Sequence, residues 1–508
     1  MEKPPTLGLT MDLETFVDLA GTYSVIPLPV VVLGDTHTAV SVFDSLVGDS
    51  EGFLLESVEG GERWGRWSFI GWDSALTISA IDGEVTCTDD AVVVPAGDPL
   101  EALEALLDRY DVAPWDQVAK SVAQPPLHSG AVGYLAYDVV RYVESLPNGS
   151  PDDRALPEMA WQFVGGLAAL DRLSNTITVI RNVYVTDDPA RDYAEAVLFL
   201  ERAVSSLSRA TLRTPGNMPE LGLVPTTVQS MDRTEYESVV EKAKSLIREG
   251  EVFQIVPSIR FEAVFGGDAF AVYRALRLIN PSPFMFFVRT AGIAIAGSSP
   301  ELMSRVRDGV AYSRPIAGTR PRGRTDAEDQ RLESELLADP KEQAEHVMLV
   351  DLARNDLGRV CEFGTVTVDD LMVVERYSHV MHIVSGVSGT LRTGIGPVEV
   401  LRATFPHGTV TGAPKVRAME LIDELEPLAR GPYAGAVGYI DFSGNLDTAI
   451  ALRTCICRGT TAWVQAGAGI VVDSDPSSEY DECINKATAV LNAVAAADSM
   501  SRVLGADS

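Results

Sequence analysis

Residues 232–261 read DRTEYESVVEKAKSLIREGEVFQIVPSIRF. Tyr236, Val239, Val240, Ala243, Leu246 and Ile247 recur at i, i+3 and i+4, the stripe of an amphipathic helix. Asp232 is placed to cap it, Glu235 follows three residues on, and Gly250 can stop it. Beyond Gly250 the helical period is lost, and the apolar run 252–261 reads as a strand. The same succession continues, with strands expected at 284–297, 376–388, 434–442 and 462–472 and helices at 269–279, 330–337, 341–359, 414–424 and 477–496. Strands alternating with helices in this way point to a layered α/β fold, and leave parallel against antiparallel open.

Upstream, from 28 to 205, the runs are shorter and richer in β-formers, as at 30–33, 53–55 and 176–180, broken by Gly, Asp and Pro. Helical spacing appears at 100–110 and 186–204. Residues 207–229 are rich in Ser, Thr, Pro and Gly and carry no apolar period, as in a linker. The chain thus divides into an N-terminal domain (1–210), a linker (211–230), a second domain (231–495) and a C-terminal tail (496–508).

Charge narrows the function classes. With 41 Lys and Arg against 72 Asp and Glu, the 508 residues carry a formal charge of −31. Such a field repels phosphate backbones and anionic membranes, so nucleic acid and membrane are not expected partners. An anionic substrate needs its own local positive charge. Five cysteines (Cys87, Cys361, Cys455, Cys457 and Cys483) make no disulfide framework, and Cys455 with Cys457 reads as strand packing. No run reaches the roughly 18 apolar residues of a membrane span. The start of the chain, Met1 to Pro5, opens no apolar signal segment, so a cytoplasmic location is expected.

Three patterns carry chemistry. Glu342 with Glu345, and Glu479 with Glu482, each share one helix face. Facing each other, two such pairs supply oxygen ligands for a hard cation such as Mg2+. The spacing alone is also that of a solvated face, since Glu56/Glu59 and Glu101/Glu104 share it. The neighbours single the two pairs out: His346, Asp351, Asn355 and Asp356 follow on the first helix, and Lys486 lies one turn after Glu482. The second pattern is small-residue loops beside strands: 318–324 (GTRPRGR), 408–415 (GTVTGAPK) and Gly467-Ala468-Gly469. Each offers backbone N–H groups to an anion, and Arg453 in a strand adds a planar fork for a carboxylate. The third is a pair of the six histidines, His379 and His382, which fall on different faces of a strand, one toward the core and one toward a site.

Read in order, these motifs resemble the chorismate-utilising enzymes over roughly 230–495. The matching stretches are 315–323 (PIAGTRPRG), Glu345-His346 through 351–357 (DLARNDL), 379–382 (HVMH), 411–415 (TGAPK), 465–469 (QAGAG) and Glu482 to Lys486. Within that family the likeness is to component I of anthranilate synthases, and 54–57 (LLES) with 130–134 (GAVGY) extends it into the N-terminal half. The resemblance implies an α+β fold of layered antiparallel sheets with helices outside, in two interlocking halves. It implies Mg2+ held by Glu345 and Glu482, with Glu342 and Glu479 as outer ligands. It implies Glu301 as general acid and His382 in the elimination step. Gly318, Thr319, Thr409, Tyr433, Arg453, Gly467, Ala468, Gly469 and Lys486 would contact chorismate. A tryptophan effector site would comprise Glu56, Ser57, Pro283, Phe284 and Met285, with Arg66 beside it.

Members of the family differ in the nucleophile they deliver. Water-using isochorismate and salicylate synthases carry a Lys where this chain has Gln254, and Gln cannot act as a base. Aminodeoxychorismate synthases carry a covalent Lys where this chain has Ala317. Both positions favour direct attack by ammonia and anthranilate as product. In the family that ammonia comes from a glutaminase with a Gly-x-Cys-x-Gly nucleophile. None of the five cysteines has that setting, so a separate glutaminase subunit and a hetero-oligomer are expected. The rival of another class is a non-catalytic tryptophan-binding regulator, against which the retained Glu301, His382, Glu345 and Glu482 argue.

Overall fold

The computed structural model describes residues 8–59, 63–209, 218, 222–376 and 380–500. His379 lies outside the described residues. Two antiparallel sheets of 11 strands each organise the chain. In the first sheet the order of strands begins with Val25–Leu33, Thr176–Tyr184, Gly166–Asp171, Arg63–Trp72 and Gly52–Glu59 of the N-terminal half. Gly52–Glu59 then pairs with Phe284–Thr290, and the sheet continues through Ile293–Ser299, Thr454–Arg458, Thr461–Gly467, Ser258–Val264 and Thr227–Gln229. The second sheet is joined in the same manner, Ala131–Leu135 of the N-terminal half pairing with Ala436–Ile440.

Each half therefore supplies strands to both sheets, and the halves share continuous backbone ladders. The sheets also touch face to face: Gln162 Nε2 donates to the Arg289 carbonyl at 2.8 Å, and the Phe69 and Tyr439 rings meet edge-on at 6.4 Å. Helices cover the outer faces; one apolar core takes in the first sheet and the side of the second sheet that faces it (Val132, Tyr134, Val437), and another lies between the second sheet and its own helices. Phe43 of the N-terminal half stacks on Phe270 of the other at 4.1 Å, and both rings meet Phe287. Such aromatic pairs add about 0.5–1.5 kcal/mol each beyond their buried area.

The decisive segment folds as its pattern dictates, with one change. Arg233–Glu249 is helical, Asp232 and Glu235 form the reciprocal cap, and Gly250 closes it in the left-handed conformation at φ 86°. The expected strand 252–261 is two strands, Gln254–Ile255 and Ser258–Val264. Pro257 lacks the N–H a ladder needs, so the chain changes partner there. The first piece pairs with Gly412–Ala413 and the second with Thr461–Gly467. The expected strand 284–297 is likewise a hairpin, Phe284–Thr290 with Ile293–Ser299, turning at Ala291 (φ 47°) and Gly292 (φ 76°). Residues 376–388 fall on Thr367–Arg376 and Val380–Thr390. The last helix runs Pro476–Met500, five residues into the stretch read from sequence as a tail, and Thr227–Gln229 of the expected linker forms an edge strand. Cys455 and Cys457 are both buried, their sulfurs 3.6 Å apart.

Candidate active site and effector cavity

A cavity of about 420 Å³ opens where the helices Pro340–Gly358 and Pro476–Met500 approach the strand ends. Fourteen of the fifteen residues expected for catalysis, substrate and metal line it. Ala468 is the exception: it packs into the core of the first sheet between Gly467 and Gly469. Gln254 and Ala317 line it too.

Glu301 follows the strand Ile293–Ser299 and is 3 % exposed. Burial pushes its carboxyl up to about 8, against a hydrogen bond from Thr409, the Ile316 amide and the charge of Lys486. The Thr409 Oγ1 lies 2.8 Å from its Oε1, within hydrogen-bond distance. A carboxyl in that range is a proton donor at neutral pH. His382 lies on the strand Val380–Thr390. Its Nδ1 is 3.1 Å from the Gly318 carbonyl, which can only accept, so Nδ1 carries the hydrogen and Nε2 is the nitrogen able to take a proton. Burial, with the positive charge of Arg453 adding to it, pushes the imidazole down, so it is neutral near pH 7. One cavity thus holds a protonated carboxyl and an unprotonated imidazole.

Gly318 is required where it sits. Its φ is 63°, and a Cβ there would come within 3.1 Å of the Glu342 carboxylate and 3.0 Å of Leu336. At Gly469 a Cβ would stand 2.8 Å from Gln254 Nε2. That amide nitrogen donates to Glu345 Oε1 at 3.0 Å, so Gln254 orients a carboxylate.

Each helix pair places its acids at the cavity, and each acid has a partner. Glu342 meets Arg320 at 2.9 Å, and Glu482 meets Lys486 at 2.7 Å. Burial pushes Glu345 up, and the charges of Glu342 and Glu482 add to it. Burial and Glu482 do the same to Glu479. Glu482 is thus the shared negative neighbour of Glu345 and Glu479, and a cation beside it relieves both. Among the described residues no three His, Cys, Asp or Glu side chains converge on one point. All-oxygen donors that approach singly or in pairs suit a hard cation that keeps its waters and takes substrate oxygens, as Mg2+ does. His346 is buried against Ser385 with Nε2 2.6 Å from Oγ, and Asp356 pairs with Lys415 at 2.7 Å. Those polar residues of the helix are structural, while Asp351 and Asn355 face solvent.

Among the cationic side chains that line the cavity are Arg453, held in the left-handed region at φ 48°, and Lys486, whose Nζ also donates to the Gly467 carbonyl at 3.0 Å. Tyr433 is buried, and Gly467 bonds its phenol oxygen.

A second cavity, of about 670 Å³, lies between the two sheets. Glu56, Ser57, Pro283, Phe284, Met285 and Arg66 all line it. The Glu56 carboxylate is already engaged: Arg172 and Arg277 each pair with it at 2.8 Å, and Tyr273 donates at 2.8 Å. Arg66 is held bidentately by Asp171 at 2.9 and 2.7 Å. The cavity also takes in Val437, Gly438 and Tyr439, which the sequence reading missed because they lie in an ordinary strand. His407, also missed, sits against Thr409 and Glu301.

Residues 51–492 match the chorismate binding enzyme family. The chain belongs to that family of chorismate-binding enzymes. Within it, the chain is similar to anthranilate synthase component 1 of Mycobacterium tuberculosis, 46% identical with 97% of each chain covered. It is 43% identical to the same component from Acetivibrio thermocellus, covering 94% of this chain and 96% of that one. The crystal structure of anthranilate synthase component I from Streptococcus pneumoniae superposes with a TM-score of 0.73 at 34% identity, covering 91% of this chain and 98% of that one.

Proposed function

We propose that this chain is the chorismate-binding, ammonia-using component of an anthranilate synthase, acting at the first step of tryptophan synthesis. The observation that carries the reading is the pairing, in one cavity, of the protonated Glu301 with the neutral His382. Ammonia adds at C2 of the ring, the 4-hydroxyl leaves with the Glu301 proton as water, and the ammonium formed at C2 gives its surplus proton to solvent. His382 Nε2 then takes the C2 proton while the bond from C3 to the enolpyruvyl oxygen breaks, giving pyruvate and the aromatic ring. Arg453 and Lys486 meet the two substrate carboxylates, with the loop amides at Gly318 and Thr319. When bound, Mg2+ would neutralise the ring carboxylate and draw electrons from the ring. Glu345 and Glu482 would hold it, with Glu342 and Glu479 behind them.

Gln254 favours ammonia over water. A titratable residue there would serve as a base, whereas this amide is spent on Glu345. Ala317 excludes a covalent lysine at its position. The ammonia would be delivered from glutamine by a separate glutaminase subunit in the cytoplasm, forming a hetero-oligomer.

We further propose that the cavity between the sheets is the tryptophan feedback site. Ser57 and backbone groups around it would meet the amino group, and Phe284 and Met285 would wall the indole. The Glu56 carboxylate, held by two arginines, would act by fixing that strand. The assay uses the purified chain, chorismate, Mg2+ and excess ammonium salt at alkaline pH. Anthranilate and pyruvate in equal amounts, lost with EDTA and lowered by tryptophan, are expected. Isochorismate or salicylate would overturn the reading of Gln254. Unchanged tryptophan inhibition in Ser57→Ala would move the effector elsewhere.

A further inference from the structure

The general acid has a neighbour for which the reaction above has no use. His407 is 5% exposed and precedes the short helical turn Gly408–Val410. Its Nδ1 accepts the Thr409 amide at 3.3 Å, so that nitrogen bears the lone pair. The Thr409 Oγ1 lies 3.0 Å from the same Nδ1 and 2.8 Å from Glu301 Oε1, while Nδ1 and Oε1 are 3.6 Å apart. One hydroxyl therefore stands between two acceptors and has a single proton to give.

We infer that His407 is a positioning residue for the acid Glu301, its Nδ1 serving as the alternative acceptor between which and the carboxylate the Thr409 hydroxyl turns during turnover. Before the reaction the Glu301 proton sits on Oε1 and is donated to Thr409 Oγ1, whose own proton points to Nδ1. All three groups are satisfied in a buried place where an unmade bond is costly. The leaving hydroxyl then takes the proton from Oε1 and departs as water. The hydroxyl of Thr409 turns from Nδ1 to the new carboxylate, and Thr409 keeps its proton throughout. Each state of the acid thus has its own hydrogen bond, and Thr409 does not draw the proton off prematurely.

The imidazole is suited to this because it stays neutral. Burial pushes it down to about 3, and the charge of Lys415 adds to that. Lys415 is fixed by Asp356 at 2.7 Å and by the Thr404 carbonyl at 3.2 Å. On Glu301 itself, the facing charge is Lys486. His382, Lys341, Arg453 and the four glutamates of the proposed metal site share the cavity and are common to every variant below.

The inference rests on Glu301 being the acid of the proposed reaction, and the test separates the two. In His407→Leu the hydroxyl has only Glu301 left, which favours the carboxylate. The alkaline midpoint of kcat, corrected for free ammonia, should fall by about one pH unit, the worth of one neutral hydrogen bond. His407→Asn places an amide oxygen where Nδ1 stood and should restore the midpoint. A purely structural histidine would lower kcat at every pH and leave the midpoint in place, and that result overturns the inference. Where His407→Leu fails to fold, His407→Gln, whose acceptor lies one methylene farther out, gives the same reading: a lowered midpoint supports the inference and an unmoved one overturns it. An infrared difference titration of the substrate-free enzyme, with the protonated carboxyl band assigned through Glu301→Gln, measures the same midpoint without turnover. An enzyme that makes no anthranilate yet shows the shifted band refutes the reaction and keeps the hydrogen-bond switch.

Discussion

The two cavities each centre on a fully buried glutamate, and the protein treats the two oppositely. Glu56, at the effector cavity, is met by two guanidinium groups and a phenol. Glu301, at the proposed catalytic cavity, meets a hydroxyl and a backbone amide, and among the described residues no Lys or Arg forms an ion pair with it. Two cations compensate the first carboxylate, whereas at the second burial outweighs two hydrogen bonds and the more distant charge of Lys486 and leaves it protonated. The walls differ in the same sense. Among the described residues the proposed catalytic cavity is lined only by residues 254–486, whereas both halves of the chain line the cavity between the sheets. The proposed chemistry sits within one half, and the proposed effector site sits where the halves meet.

The sharpest way to break this comparison is to neutralise each glutamate. Glu301→Gln should lower kcat by about 10²–10⁴, the usual worth of a positioned acid. It should also stabilise the fold. The native carboxyl titrates near 8 instead of its ordinary 4.5, so the stability it contributes is complete below about 4.5 and fades as pH rises through 8. At pH 7 the loss is on the order of 3 kcal/mol, and glutamine, which does not titrate, escapes it. Glu56→Gln should do the reverse. It leaves Arg172 and Arg277 without their carboxylate and should cost roughly 2 kcal/mol, below the about 3–5 of a fully buried pair because both keep some hydration. Urea titrations of both variants from pH 5 to 9 check the signs. Equal signs would mean that the two sites do not differ in this way.

A second test stays within the catalytic cavity. Glu345→Gln or Glu482→Gln should weaken Mg2+ by about 100-fold. Glu342→Gln combined with Glu479→Gln should weaken it by about tenfold, the lower end for residues that act through an inner ligand. Calorimetric titration with Mg2+ and substrate present checks this, and equal losses would refute the division into inner and outer carboxylates.

The sequence made the catalytic cavity legible because its residues come in short motifs, such as 315–323 and 465–469, within one half of the chain. Helix spacing alone placed each carboxylate pair on one face. The antiparallel order came from family likeness and not from spacing, because it depends on turns such as the two-residue one at Ala291-Gly292, which looks like the interior of a strand. The split at Pro257 was missed for a similar reason: the apolar run is unbroken, and only the absent N–H reveals the change of partner. The interlocking of the halves came from family likeness, since pairing between Gly52–Glu59 and Phe284–Thr290 spans over 200 residues and leaves no local trace. His407 escaped because a histidine beside a turn looks like a cap until its distance to the acid is known.

The smallest expected effect concerns how the two cavities communicate. Pro283, Phe284 and Met285 wall the effector cavity, and Asn280 stands three residues before them. Its Oδ1 accepts from Arg453 at 3.2 Å, and its Nδ2 donates to Ser298 Oγ at 3.1 Å. Ser298 closes the loop: its hydroxyl reaches Ser282 at 3.0 Å, and its amide donates to the Arg453 carbonyl at 3.2 Å. A shift of the effector wall is thereby tied by hydrogen bonds to the guanidinium expected to hold substrate. Asn280→Ala cuts two of those bonds at a residue that itself lines neither cavity. If they carry the coupling, the factor by which tryptophan weakens chorismate binding should shrink by about fivefold, roughly 1 kcal/mol of a typical 1–3. By linkage, the factor by which chorismate weakens tryptophan binding must shrink equally. Calorimetry of each ligand with and without the other measures both. An unchanged factor, with chorismate affinity lowered on its own, would reduce Asn280 to a support for Arg453 and leave the contact between the sheets as the route of inhibition.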